Sequence, residues 1–180
     1  MVRAGRGGIY SEDFEKGVVG IGWRQLGDLK LYSSENSLRK KYQEIYGNEK
    51  PAKTANAIAM ILKFRDQIKD GDYVVSYNPE TRNYMIGKDK GNYYFDPDVI
   101  GDFPHLRSVD WIGKVSRDTL TQKSRNSLGS TLTLFSLQQS IIDEFLTVLE
   151  GKPVKANPQP SLDEEPESSF LKDETISQSH

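Results

Sequence analysis

The chain contains no cysteine and only two histidines, His105 and His180. The first absence removes disulfides, thiolate nucleophiles and cysteine–zinc sites. The second leaves multi-histidine metal sites and most histidine-based catalysis without ligands or bases. No apolar run is long enough to span a bilayer. The opening MVRAGRGGIY lacks the apolar centre of a signal peptide. These absences predict a soluble cytoplasmic protein without a membrane partner. Excess charge of one sign is also missing: 24 Lys and Arg face 26 Asp and Glu, for a net −2. Residues 151–180 hold three lysines against six acids, which leaves 21 basic and 20 acidic residues in 1–150. Any nucleic-acid surface must then be a local patch and not a global field.

What is present suits one compact core. The 180 residues are 36% hydrophobic and 28% charged. Composition divides them into a folded domain, 1–150, and an acidic, Pro- and Ser-rich tail, 151–180, expected to be a disordered linker. Helix signals come early. SEDFEKG offers Ser11 as a cap and Gly17 as a stop. Leu38, Tyr42, Ile45 and Tyr46 share one face of a helix from about Ser34. Thr54 reads as the cap of a helix carrying Ile58, Ile61, Leu62, Arg65 and Ile68, ended by Asp70–Gly71. Ser136 and Gln139 match a capping box ahead of Ile141, Ile142, Phe145 and Leu149. Strand signals fill the middle: DYVVSY, NYMIG, NYYF, SVDWIGKV and TLTLF, joined by MVRAG and VVGIGW. About seven strands beside about four helices predict an α+β domain with a curved, mainly antiparallel sheet or barrel flanked by helices.

Catalytic motifs are thin. AGRGG lacks the Gly-Lys-Ser/Thr of a nucleotide-binding loop. Asp98 with Glu150 and Lys152 is the fragment nearest to a metal-nuclease site, and it lacks rigid support. The basic run Arg39-Lys40-Lys41 reads as a solvated helix face. The sequence predicts no cofactor, no metal site and no enzyme. Aromatics are more informative. Tyr73, Tyr77, Tyr84, Tyr93 and Tyr94 crowd the strand-rich middle, with Trp23 and Trp111 on either side in sequence. Such rings fill cores, or sandwich a flat base at about 1–3 kcal/mol per stack.

The order VRAGRGG, GVVGIGW, GDYVVSY, IGKDKGNYYFDPD, HLRSVDWIGKV and SRNSLGSTLTLF runs over about residues 2–135. It resembles the N-terminal reader domain of Mrr-type and McrB-type restriction proteins, in the EVE/YTH group of PUA-like folds. The resemblance implies a small curved β-barrel that binds modified double-stranded DNA. A methylated or hydroxymethylated cytosine, or a methylated adenine, would be flipped into an aromatic pocket. It also implies a fused or separate effector, an Mrr-type nuclease or a McrB-type motor. By the same resemblance Trp23 is a pocket wall, Ser76, Tyr77 and Asn78 border the pocket, and Tyr94, Asp96 and Trp111 lie near. His105 and Arg107 match the His-x-Arg-x-Val-x-Trp pattern and are expected at the DNA backbone.

Gly20 and Gly22 would leave a recess beside Trp23 for the flat ligand. Arg3, Arg6, Arg24, Gln25, Lys114, Arg117, Lys123 and Arg125 are the remaining candidate backbone contacts, the last two in a polar loop, QKSRNSLGS. One departure stands out: GKDKG puts Asp89 where an apolar residue is expected, which predicts a broken or edge-exposed strand. The alternatives are a PUA-like RNA-binding module, a metal-dependent nuclease and a protein-interaction domain.

Overall fold

A computed structural model describes residues 1–47 and 49–154. The expected linker lies mostly beyond them, since 155–180 fall outside the described residues. Strand β1 (Val18–Ile21) follows a short helix α1 (Ser11–Glu15). Helices α2 (Glu35–Tyr46) and α3 (Pro51–Leu62) come next, and α3 runs on as a π-turn over Lys63–Gln67. Then come β2 (Tyr73–Asn78), β3 (Asn83–Asp89), β4 (Tyr94–Phe95) and β5 (His105–Ser116). Helices α4 (Gln122–Leu128) and α5 (Gln139–Leu149) close the fold.

The chain is α+β, with one curled antiparallel sheet in the order β1-β5-β3-β2. The long β5 organises it. Its first residues pair with β1, Val18 opposite Ser108 and Ile21 opposite His105. Its other edge takes β4 at Leu106 and His105, then β3 from Val109 to Ser116. Between Ile86 and Gly87 the register slips past Ile112, a bulge that bends the sheet. The strands approach closely there: a Cβ on Gly87 would stand 2.4 Å from the Asp110 carbonyl oxygen.

Strand alternation sends side chains to two cores. Val74, Met85, Leu106 and Val109 join Phe14, Leu38, Ile58, Ile61 and Phe64 under α1, α2 and α3. Val75, Tyr84, Ile86 and Val115 meet Leu128, Ile141, Ile142 and Phe145 of α4 and α5 on the opposite face. Among the described residues no helix is long and apolar enough to cross a membrane.

Several local expectations are corrected. Among the described residues there are five strands; MVRAG and TLTLF meet only at a single bridge, Val2 with Leu134. Met1–Arg3 still lies between β2 and Thr133–Phe135. The Val2 N–H donates to the Val75 carbonyl, and the Arg3 N–H to the Thr133 carbonyl. Left-handed Gly5 then turns the chain before a ladder can form. Ser34 caps α2 with a reciprocal box through Ser37, but the other expected caps are not caps. Ser11 is the first residue of α1, Thr54 is buried inside α3 because Pro51 starts that helix, and Ser136 accepts from Lys63. QKSRNSLGS is not a loop: Thr121 accepts from the Ser124 N–H and starts α4. Asp89 is neither exposed nor a break. It ends β3, buried against Arg107.

Candidate functional site

A cleft of about 260 Å³ opens between the N-terminal glycine turn, the β2–β3 hairpin and α4. The turn exists because Gly5, Gly7 and Gly8 all take left-handed backbone angles that side chains resist. Gly8 packs so tightly on the hairpin that a Cβ would stand 2.4 Å from Pro79 Cδ. Across the hairpin Tyr77 and Tyr84 are register partners, and their rings stack at 4.4 Å with a 30° tilt. Tyr84 is buried, wedged edge-on against Phe145 at 5.5 Å. Burial raises its phenol pKa, with Tyr77 adding to the effect and Arg117 opposing it. Tyr77 stays half-buried and lines the cleft.

Three arginines converge here: Arg3 from the N-terminal segment, Arg117 after β5 and Arg125 on α4. The Arg3 Nη1 donates to the Thr131 carbonyl. The Arg125 Nε is buried and has no hydrogen-bond partner among the described residues. Among the described residues no carboxylate lines the cleft. Asp118, next to Arg117, is held by Arg82 at 2.5 Å on the exposed surface. A cavity just under the ~300–1,000 Å³ of drug-sized pockets, with one aromatic wall and three guanidinium groups, suits a single flat ring system bearing or flanked by anions.

The expected pocket does not assemble around Trp23. The indole is half-buried on the α2 and α3 core, and the Trp23 main-chain carbonyl accepts from the His105 Nε2. The recess expected at the glycines is filled by protein: a Cβ on Gly20 would stand 2.8 Å from Leu106 Cδ2 and 3.2 Å from Phe103 Cβ. Gly22 faces the same phenylalanine ring at 3.6 Å. The glycines admit Phe103, not a ligand.

Of the other expected pocket residues, only Tyr77 lines the arginine cleft. Ser76 is buried on the opposite, α2–α3 side of the sheet. The Asn78 Oδ1 accepts from the Glu80 and Thr81 N–H groups, and the Asp96 Oδ1 accepts from the Asp98 N–H. Both shape turns. Tyr94 packs on the main core, and the Trp111 Nε1 donates to the Phe14 carbonyl at 2.7 Å.

The expected backbone contacts also divide. Arg3, Arg117 and Arg125 come together at the cleft; Lys123 is exposed on α4, and Arg6 is exposed on the glycine turn. His105 and Arg107 are corrected. His105 is 0% exposed, between Tyr93 at 2.9 Å and the Trp23 carbonyl, and burial lowers its pKa. Arg107 is spent on Asp89 through two bonds, 2.7 and 3.0 Å, and on the Phe64, Arg65 and Gly91 carbonyls. Neither can reach a phosphate. Arg24 caps the Pro97 and Gly101 carbonyls, Gln25 is exposed beside it, and Lys114 pairs with Glu15. Among the described residues no three His, Cys, Asp or Glu side chains converge on a common point. Asp98 sits in a turn, and Glu150 pairs with Lys152.

Residues 2–138 match the family model described as Domain of unknown function (DUF8426). The chain belongs to this family. The matched span holds all five strands, the glycine turn and the three cleft arginines, and it stops just before α5. The cleft is therefore built from the family domain, with α5 bracing it from behind through Phe145. No curated protein and no solved structure matches the chain.

Sequence reasoning missed the pairing of Tyr84 with Tyr77 and the role of the glycine turn as a wall. A signal for the first was present. YNPETRNY places a tyrosine on each side of a hairpin loop, which sets the two rings opposite one another on one face.

Proposed function

We propose that this protein is a non-catalytic reader of modified double-stranded DNA, an EVE/YTH-like, PUA-like domain acting in the cytoplasm. The observation that carries this is the half-buried Tyr77, backed by Tyr84, beneath three arginines and, among the described residues, no carboxylate. An extruded base stacks on Tyr77, and Arg3, Arg117 and Arg125 meet the flanking phosphates, with Lys123 further along. The curled antiparallel sheet with helices on both faces is compatible with a PUA-like barrel. A reader of this kind works with an effector, either an Mrr-type nuclease or a McrB-type motor.

The base pocket proposed here is the tyrosine–arginine cleft, not the Trp23 region. Titration of the pure protein with matched duplexes tests it. The duplexes carry unmodified cytosine, 5-methylcytosine, 5-hydroxymethylcytosine or N6-methyladenine, each at several salt concentrations. One modified duplex should bind tightest, and Tyr77→Ala should weaken it by about 5- to 100-fold, the equivalent of one lost stack. Equal affinity for all duplexes overturns the reading. A preference for single-stranded RNA reassigns the cleft to RNA, and Mg²⁺-dependent cleavage by the pure protein overturns the non-catalytic role.

A further inference from the structure

Ile9 is 70% exposed at the edge of an open hollow that Arg3, Arg6, Asp102 and Phe103 also line. Single exposed apolar residues are ordinary; the support under this one is not. Gly8 N–H donates to the Gly5 carbonyl at 3.1 Å and Tyr10 N–H to the Ala4 carbonyl at 2.8 Å, closing the turn on both sides of Ile9. A Cβ on Gly5 would stand 2.9 Å from Ile9 Cγ2, so the side chain lies directly against the turn. Tyr10 anchors the next position, its ring 4.7 Å from Phe103 and its hydroxyl bonded to Asp102. The Gly5–Gly8 turn is also the partition between two hollows. One flank is the Tyr77 cleft; the other is an open hollow edged by Arg3, Arg6 and Ile9.

We propose that Ile9 is the wedge that enters the base stack when the neighbouring cleft takes up a base. The inference rests on the base-flipping reading above. A base that leaves the duplex opens a gap, and a branched apolar side chain between base steps replaces part of the lost stacking. A wedge held on a closed turn needs little further ordering when it inserts. Arg3, just before the glycine turn, and Arg6, within it, both edge this hollow, where they would hold the phosphates of the distorted step. The carboxylates lining the hollows beside Ile9 are Glu12, Glu80 and Asp102; Glu12 and Glu80 are exposed on the flank away from Arg3, and Asp102 is tied to Tyr10 by two hydrogen bonds.

The test uses the full chain and a short duplex carrying the modified base that binds tightest in the titration. 2-Aminopurine is placed as its 3′ neighbour. Binding of the natural protein should raise 2-aminopurine fluorescence as the stack opens. Ile9→Ala should cut both the rise and the affinity, the latter about tenfold, and Ile9→Leu should restore most of each. Leu31→Ala removes an equally exposed side chain that borders neither hollow, and it should change nothing. With the modified base opposite a mismatch, already partly unstacked, Ile9→Ala should approach the natural protein. An Ile9→Ala protein with unchanged affinity and an unchanged rise overturns the wedge and leaves the reader standing. No preference and no rise with the natural protein overturns the reader reading, and the wedge with it.

Discussion

Replacing Asp89 with asparagine should cost this fold about 3–5 kcal/mol, the range for leaving one member of a buried ion pair without its partner. The environment explains the size. The Arg107 and Asp89 side chains are 3% and 0% exposed, and the pair is bidentate. The Asp89 Oδ1 also accepts from the Gly91 N–H, so the carboxylate ties the end of β3 to the chain entering β4. In Asp89→Asn the amide matches only one of the two guanidinium bonds, and a buried cation loses its counter-charge. For a domain of this size the melting temperature should fall by about 6–20 °C.

Thermal and urea unfolding followed by far-ultraviolet circular dichroism measure the loss. Arg107→Met and Asp89→Leu complete a double-mutant cycle, in which a coupling of about 2–3 kcal/mol is expected. The double variant should remain below the natural protein, because the Phe64, Arg65 and Gly91 carbonyls lose their donor. A loss below about 1 kcal/mol in Asp89→Asn would refute the buried-pair reasoning. So would an Arg107→Met protein of normal stability that had lost only DNA binding.

Three further outcomes follow from the same geometry. Trp23→Ala should destabilise the domain by about 2–4 kcal/mol, less than a wholly buried tryptophan because the ring is half-exposed. It should keep its preference among duplexes at temperatures where it is folded; unchanged melting with lost preference would return Trp23 to the pocket. Gly20→Ala should cost about 1–3 kcal/mol by overpacking against Leu106 and Phe103, with binding intact, and calorimetry beside titration separates the two effects. His105 is held neutral by burial, its pKa below the ordinary 6.5. The unfolded chain then binds the proton more readily, so stability should fall as pH drops below about 6.5. His105→Gln should flatten that slope in urea titrations at stepped pH.

Much of the secondary structure was legible because short-range physics sets it. The apolar spacing of α2 and α3, the start of α2 near Ser34 and the alternation in β2 and β3 are properties of neighbouring residues. They carry through to the folded protein with shifts of a few positions at helix starts. Strand pairing at MVRAG and TLTLF was not legible, since a ladder needs a partner of matching length. The Arg3 and Thr133 segments meet for only a bridge.

The sequence by itself determined the fold class, the two-faced alternation that sends Val74 and Val75 to separate cores, and a local turn at Gly5–Gly8. Only the tertiary structure decided which polar and aromatic side chains are free to act. Arg107 and Arg125 look alike in sequence, yet one is neutralised by Asp89 from a neighbouring strand and the other retains, beside a cleft, an Nε with no partner among the described residues. Trp23 and Tyr77 both follow strand-like apolar runs, yet Phe103 fills the space beside the first. The second is half-buried on the far side of the sheet, stacked on Tyr84 and lining the cleft. Burial and charge pairing depend on residues distant along the chain, and no local pattern encodes them.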